Sequence, residues 1–155
     1  ALVLKTLCAN NGSLGYEALA DVLGFDEAAM EMLLGSGGIC SVSGYLGGRK
    51  TVIARIELRL CRAKGCSGCG NLHLCVGFVF GSCRFQNMRM GCRFSHDLFS
   101  GQNYAVLEAH GLETLDLKEL RLLLLQSDHT LLPQVSSTHS CKKLLEVKLK
   151  WKRKE

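Results

Sequence analysis

Residues 61–96 read CRAKGCSGCGNLHLCVGFVFGSCRFQNMRMGCRFSH, and the reading of this stretch decides the fold. It holds six of the chain's nine cysteines and two of its five histidines. Taken together they resolve into two sets of four. The first is Cys61-x4-Cys66-x2-Cys69-x3-His73, and the second is Cys75-x7-Cys83-x8-Cys92-x3-His96. Each offers three thiolates and one imidazole, the donor set that suits tetrahedral Zn2+ in a closed structural site. Both end Cys-x3-His, which brings sulfur and ring nitrogen together over about one helical turn. Every cysteine and histidine from 61 to 96 is used once. The opposing reading, free cysteines buried as small hydrophobes, sits badly with the neighbouring Gly65, Gly68 and Gly70. Four protein ligands leave no open position for water. The expectation is therefore two structural zinc ions and a chain that is not an enzyme.

The chain around this stretch has 155 residues, 47% hydrophobic and 21% charged, a globular balance for one domain or two very small ones. No run approaches the ~20 apolar residues of a membrane span, so no membrane partner is expected. The opening ALVLKTLCANNG has neither the basic n-region nor the cleavage site of a secretory leader, and its start at Ala1 reads as trimming. An odd cysteine total, clustered as it is, fits metal better than a disulfide framework. Cys8, Cys40 and Cys141 stand apart from the cluster.

The formal charge of +5 is unevenly spread. Residues 49–96 carry nine basic side chains against Glu57 alone, whereas 1–48 carry one basic against five acidic and 97–141 two against six. The last fourteen residues, KKLLEVKLKWKRKE, are basic again. A basic block between acidic ones is the footprint of a localised anion site, although a solvated face can show the same scatter. Within the second quartet, Phe78, Phe80, Phe85 and Phe94 alternate with Arg84, Arg89 and Arg93. The triplets Cys83-Arg84-Phe85 and Cys92-Arg93-Phe94 place a cation and an aromatic beside a metal-fixed backbone. Splayed RNA bases stack on such aromatics. Phe78 and Phe80 serve equally well as a miniature core; Phe85 and Phe94 are the expected stacking pair. Arg62, Lys64, Arg84, Arg89 and Arg93 are the expected phosphate contacts.

Ahead of the fingers, the periodicity predicts three short helices and a hairpin. Leu4, Leu7 and Cys8 mark the first helix, which stops at Asn10-Asn11-Gly12. Ser13 is placed to cap a second, with Leu14, Ala18, Leu19, Val22 and Leu23 inward and Gly24 ending it. Asp26 is placed to cap a third, stapled by Phe25 and Met30 and faced by Leu33 and Leu34. Ile39–Ser43 and Thr51–Leu58 alternate as strands around a Gly44–Gly48 loop. Three helices and a two-stranded wing follow the winged helix-turn-helix order. That fold often reads DNA through its third helix, but here the helix is acidic (Asp26, Glu27, Glu31), so an interaction module for protein partners is expected.

Beyond the fingers, Ser100 is placed to cap a helix running through Tyr104, Val106 and Leu107 to His110, closed by Gly111. His110 reads as a favourable helix-end residue. Asp116 and Glu119 form a capping-box start for Leu117–Gln126, whose Leu122–Leu125 run is expected inside. Pro133 breaks the pattern, and His139 and Cys141 find no partner ligands. The divisions expected are a winged-helix-like subdomain at 1–59, tandem CCCH fingers at 60–97, a helical segment at 98–133 and a basic, disordered tail at 134–155.

The run Leu58–Asp97, with NLHLC joining the fingers and CRFSHD ending them, resembles the N-terminal RNA-binding region of the zinc-finger antiviral protein family, with its CCCH-type poly(ADP-ribose) polymerase members. The likeness extends from LVLKTLCANNG to YAVLEAHGL and LRLLLLQSDHTLLP. It implies a small, zinc-stabilised α+β fold, with a winged-helix-like N-terminus packed on tandem fingers that bind single-stranded RNA in the cytoplasm. In the antiviral members the second finger holds a CpG dinucleotide. The resemblance carries that role to Phe85, Arg93 and Phe94, with Arg62 and Lys64 where the family also places cations. The sequence departs at Val76, where the antiviral members carry lysine, which leaves general RNA binding intact and CpG selectivity open. It departs again after Pro133, where members continue into two more fingers, so the chain reads as a fragment or short isoform. The alternative function is a protein-interaction scaffold in which zinc only stiffens the fold.

Overall fold

The computed structural model describes residues 1–36, 38–44 and 48–131. Most of the expected Gly44–Gly48 loop, Pro133, His139, Cys141 and the basic tail lie outside the described residues. Among these, the elements run α1 (Leu2–Ala9), β1 (Ser13–Gly15), α2 (Tyr16–Leu23), α3 (Glu27–Gly35), β2 (Cys40–Gly44), β3 (Lys50–Ala54), α4 (Val76–Val79), α5 (Gly101–Ala109) and α6 (Leu117–Ser127). A 3-10 turn at His129–Leu131 follows. The expected small α+β fold is what forms.

β3 is the central strand of an antiparallel sheet ordered β1-β3-β2, with Val52 opposite both Leu14 and Val42. β1 corrects the expected helix start at Ser13. Ser13–Gly15 pair with Thr51–Ile53 instead, and α2 begins only at Tyr16 with Gly15 as its N-cap. The buried side of α2 is Leu19, with Tyr16, Ala20 and Leu23 packed beside it. These lie at i, i+3, i+4 and i+7, one helical face. Ala18 and Val22 face out, contrary to the sequence reading.

α3 starts as expected, with the Asp26 carboxylate accepting from Ala29 N at 2.8 Å and Met30 fully buried. The turn between α1 and β1 needs glycine. Gly12 has φ 87°, and a Cβ there would collide with the Gln126 side chain. That Gln126 amide donates to Gly12 O at 2.8 Å and to Ala54 O at 2.7 Å, tying α6 to the turn and to the end of β3.

Strand pairing ends at Ala54, short of the expected Leu58. The alternation nevertheless continues, with Val52, Ala54, Ile56, Leu58 and Leu60 all buried. The extended chain leaves the sheet because Ile56 N donates to Ser127 Oγ at 2.9 Å rather than to a strand. It thereby carries the hydrophobic row from the sheet straight into the first finger. Leu72, Leu74 and Val79 from the fingers join the same core cluster as α1, α5 and α6.

α6 has the full capping box between Asp116 and Glu119. Leu120, Leu123 and Leu124 are its buried residues, while Leu122 and Leu125 are half-buried. At α5, Ser100 occupies the N-cap position but its side chain makes no capping bond, and Tyr104 is exposed. The face α5 turns inward is Asn103, Val106 and Leu107. No described helix is long and apolar enough to cross a membrane.

Candidate metal centres and nucleic-acid interface

Each quartet is assembled by short backbone ties near its ends. In the first, a parallel bridge between Leu60 and Leu72 sets Cys61 N on Leu72 O at 2.8 Å and Leu72 N on Arg59 O at 2.9 Å. This brings Cys61 back beside His73. In the second, Cys75 N donates to Ser95 O at 2.9 Å, so the first ligand lies next to the last. Cys75 also caps α4, its sulfur accepting from Phe78 N at 3.4 Å. The two fingers are joined by Leu74 alone, which is itself buried.

The result is two groups of ligand atoms, Cys61, Cys66, Cys69 and His73, and Cys75, Cys83, Cys92 and His96, each lying within 4.8 Å of one another. A tetrahedral site with Zn–S bonds of about 2.3 Å has S···S edges of about 3.8 Å and S···N edges of about 3.6 Å. Cys75 Sγ and Cys83 Sγ are 3.7 Å apart, and Cys69 Sγ and His73 Nε2 are 3.3 Å apart. His96 Nε2 is buried with no hydrogen-bond partner, an arrangement that costs free energy unless something binds it. The donor set, its spacing and this orphaned nitrogen all fit zinc, and each Cys3His cluster could hold one ion.

The electrostatics are mixed within each quartet: one thiol is lowered, whereas Cys61 in the first and Cys75 in the second are raised, Cys75 chiefly by burial. The Cys69 thiol is pulled down to about 6, first by the His73 side chain and then by the Asn71 backbone. Cys92 is lowered by the Phe94 backbone N–H, with Arg93 adding to it. Cys8 goes the other way, pushed up to about 11 by burial and by the carboxylates of Glu119 and Asp116. Burial also raises Cys40. These two isolated thiols are packed side chains, Cys8 pointing at Glu119 O at 3.9 Å. All eight cysteines among the described residues are free of disulfides.

The four phenylalanines of the second finger separate cleanly. Phe78 and Phe80 pack against the core, and the Phe78 ring meets both the Arg121 guanidinium and the His96 ring. Phe85 and Phe94 are 54% and 56% exposed, too much surface for core residues. Arg84, Arg89 and Arg93 are exposed around them. Met88 and Met90 are exposed in the same loop, a feature the sequence reading did not weigh. Val76 is exposed at the first position of α4. On the first finger Arg62 and Lys64 are exposed, with Arg62 held by Thr130 O at 3.2 Å. A cavity of about 160 Å3 beside His110 and Glu57 includes none of the cluster residues.

Sequence reasoning also missed Asn103. It is fully buried and hydrogen-bonded to the backbone beside both quartets. Its signal was its place on the apolar face of α5, in step with Val106 and Leu107.

Comparison with known proteins finds a family model over these centres. Residues 59–103 match the PARP12-like CCCH zinc finger tandem, a span running from just before Cys61 to Asn103. The chain is 35% identical over 144 residues to zinc finger CCCH-type antiviral protein 1 of Rattus norvegicus, covering 88% of this chain and 19% of that protein. It is 39% identical over 146 residues to the human protein mono-ADP-ribosyltransferase PARP12, covering 86% and 21%. The human zinc finger CCCH-type antiviral protein 1-like is 32% identical over 161 residues, covering 87% and 54%. The chain thus spans between about a fifth and about half of the length of these relatives. It carries a PARP12-like CCCH zinc finger tandem, and its homologues are the zinc finger CCCH-type antiviral proteins and PARP12.

Proposed function

We propose that the chain is a zinc-dependent module that binds single-stranded RNA in the cytoplasm, as part of innate antiviral defence. Cys61, Cys66, Cys69 and His73 hold one zinc, and Cys75, Cys83, Cys92 and His96 the other. Zinc supplies structure only: with four protein donors per ion there is no position for a reacting water, so the module is not itself an enzyme. Phe85 and Phe94 stack on bases, while Arg62, Lys64, Arg84, Arg89 and Arg93 attract phosphate.

The observation that carries this reading is the exposure of Phe85 and Phe94 on a backbone fixed by cysteine ligands. Exposed aromatics with arginine beside them in sequence are suited to stacking on unpaired bases. Viral or CpG-containing RNA is the proposed target, with Phe85, Arg93 and Phe94 forming the dinucleotide pocket and Val76 leaving its CpG selectivity open. The N-terminal region serves as a winged-helix-like interaction module, its α3 exposing Glu27 and Glu31 and so unsuited to phosphate.

The rival role, a protein scaffold stiffened by zinc, is separated by salt. Affinity for a single-stranded oligonucleotide should fall linearly on a log–log plot, with a slope of about −0.7 per phosphate neutralised. A scaffold would give weak RNA binding and a protein interface insensitive to salt.

A further inference from the structure

The fingers are separated by one buried residue, Leu74, yet no ligand of one quartet belongs to the other. Leu72, Leu74 and Val79 seat both fingers on the shared core by apolar packing, which is not directional, so a polar tie is needed to fix their mutual orientation if a single strand is to cross both. Asn103 is 0% exposed on α5, with its amide aimed at the finger backbones. Its Oδ1 accepts from His73 N at 2.8 Å, and its Nδ2 donates to His73 O at 3.2 Å and to Asp97 O at 2.9 Å. His73 is the last ligand of the first quartet, and Asp97 directly follows His96, the last ligand of the second.

One planar amide therefore grips the chain where each finger ends. Both of its amide hydrogens are used, and its oxygen is used once. Aspartate in its place could only accept, and would face two carbonyl oxygens. Leucine would leave His73 N and the His73 and Asp97 carbonyls without this partner. Because Val106 and Leu107 anchor α5 in the core, the amide also ties both fingers to the rest of the fold.

We propose that Asn103 is a positioning residue that locks the two fingers into one rigid unit, so that a single RNA strand can run across both. The RNA consequence rests on the proposed function; the rigid-unit claim does not. Residual dipolar couplings of the zinc-loaded protein test the latter directly. In the unsubstituted protein, residues 61–73 and 75–96 should fit one alignment tensor. In Asn103→Ala, with both zinc ions retained, they should need two. If that variant loses zinc, Asn103→Ser, which keeps one donor and one acceptor, is measured instead.

The RNA consequence is tested with two single-stranded oligonucleotides, of about three and about ten nucleotides. Asn103→Ala should lose about tenfold or more on the long strand, through lost effective concentration of the second finger, and less than about twofold on the short one. A single tensor in the variant overturns the lock whatever the RNA affinity, and two tensors with long-strand affinity unchanged overturn its RNA consequence. Failure of the unsubstituted protein to bind either strand would defeat the RNA reading alone, because the couplings still judge the lock.

Discussion

The Phe78 ring lies stacked on the His96 imidazole, with centroids 4.7 Å apart and planes 18° from parallel. The Arg121 guanidinium stands 5.7 Å from the centroid of the same ring, and Arg121 also donates to Phe78 O at 2.8 Å. A column of three side chains thus connects α6 to the last ligand of the second quartet. It orients the imidazole whose Nε2 is buried without a partner. Groups that orient a ligand tune metal affinity, and their loss typically costs about 10- to 100-fold.

Phe78→Ala should therefore do two things. It should destabilise the fold by about 3 kcal/mol, read from chemical denaturation. It should also weaken zinc at the second quartet by about 10- to 100-fold, with the first quartet unaffected. Equal weakening of both ions would show that the column does not act through His96.

Zinc content should be two equivalents per chain. Chelation should unfold residues 61–96, because metal-binding free energy is folding free energy in such small sites. Cys83→Ser should abolish the second site while α1–α3 and the sheet remain, as amide NMR spectra can establish. Fewer than about two ions in well-folded protein would reject the paired assignment.

Alkylation should sort the cysteines. With its pKa raised to about 11, Cys8 is protonated at neutral pH and should label slowly with iodoacetamide, zinc present or absent. Its labelling should rise only as the pH climbs toward that value, when the thiolate forms. The six ligand cysteines should be protected by zinc and labelled rapidly after chelation. Cys8 labelling as fast as theirs, in folded protein at neutral pH, would rule out its buried placement.

The capping box of α6 offers a test of local stability. Asp116 accepts from Glu119 N at 2.8 Å, while the Glu119 carboxylate accepts from Asp116 N at 2.9 Å. Asp116→Ala should cost about 1 kcal/mol without changing zinc content. An unshifted denaturation midpoint would mean that the box contributes nothing.

The parts legible in the sequence were those encoded by local spacing. The two quartets, the Asp26 and Asp116 caps and the alternation of Val52, Ala54 and Ile56 all follow from residues a few positions apart. β1 was not legible, because three residues carry no period and Ser13–Gly15 become a strand only through Thr51–Ile53, far along the chain. The outward turn of Val22 followed from the same shift, since the packed face of α2 runs from Tyr16 through Leu19 and Ala20 to Leu23. Asn103 was hidden for a different reason. Its partners are backbone atoms of His73 and Asp97, and sequence carries no record of which carbonyls a buried amide will meet.

The proposed RNA specificity is tested at Arg93 and Val76. If Arg93 reads a base edge, Arg93→Ala should flatten sequence preference; if it touches phosphate, all sequences should weaken alike. Arg84→Ala and Arg89→Ala should each lower the salt slope by roughly one unit. Val76→Lys should sharpen any preference for a CpG over a matched GpC oligonucleotide. Equal affinity for both oligonucleotides, in both proteins, would exclude CpG selectivity and leave a general single-strand binder.

The central claim, that the second finger stacks on unpaired bases, is tested most directly by titrating single-stranded RNA against the zinc-loaded chain and its Phe94→Ala variant. Zinc content is measured on the same samples. The account predicts that Phe94→Ala retains two zinc ions and loses about 1–3 kcal/mol of RNA affinity. Full affinity in a variant that retains both ions would contradict it.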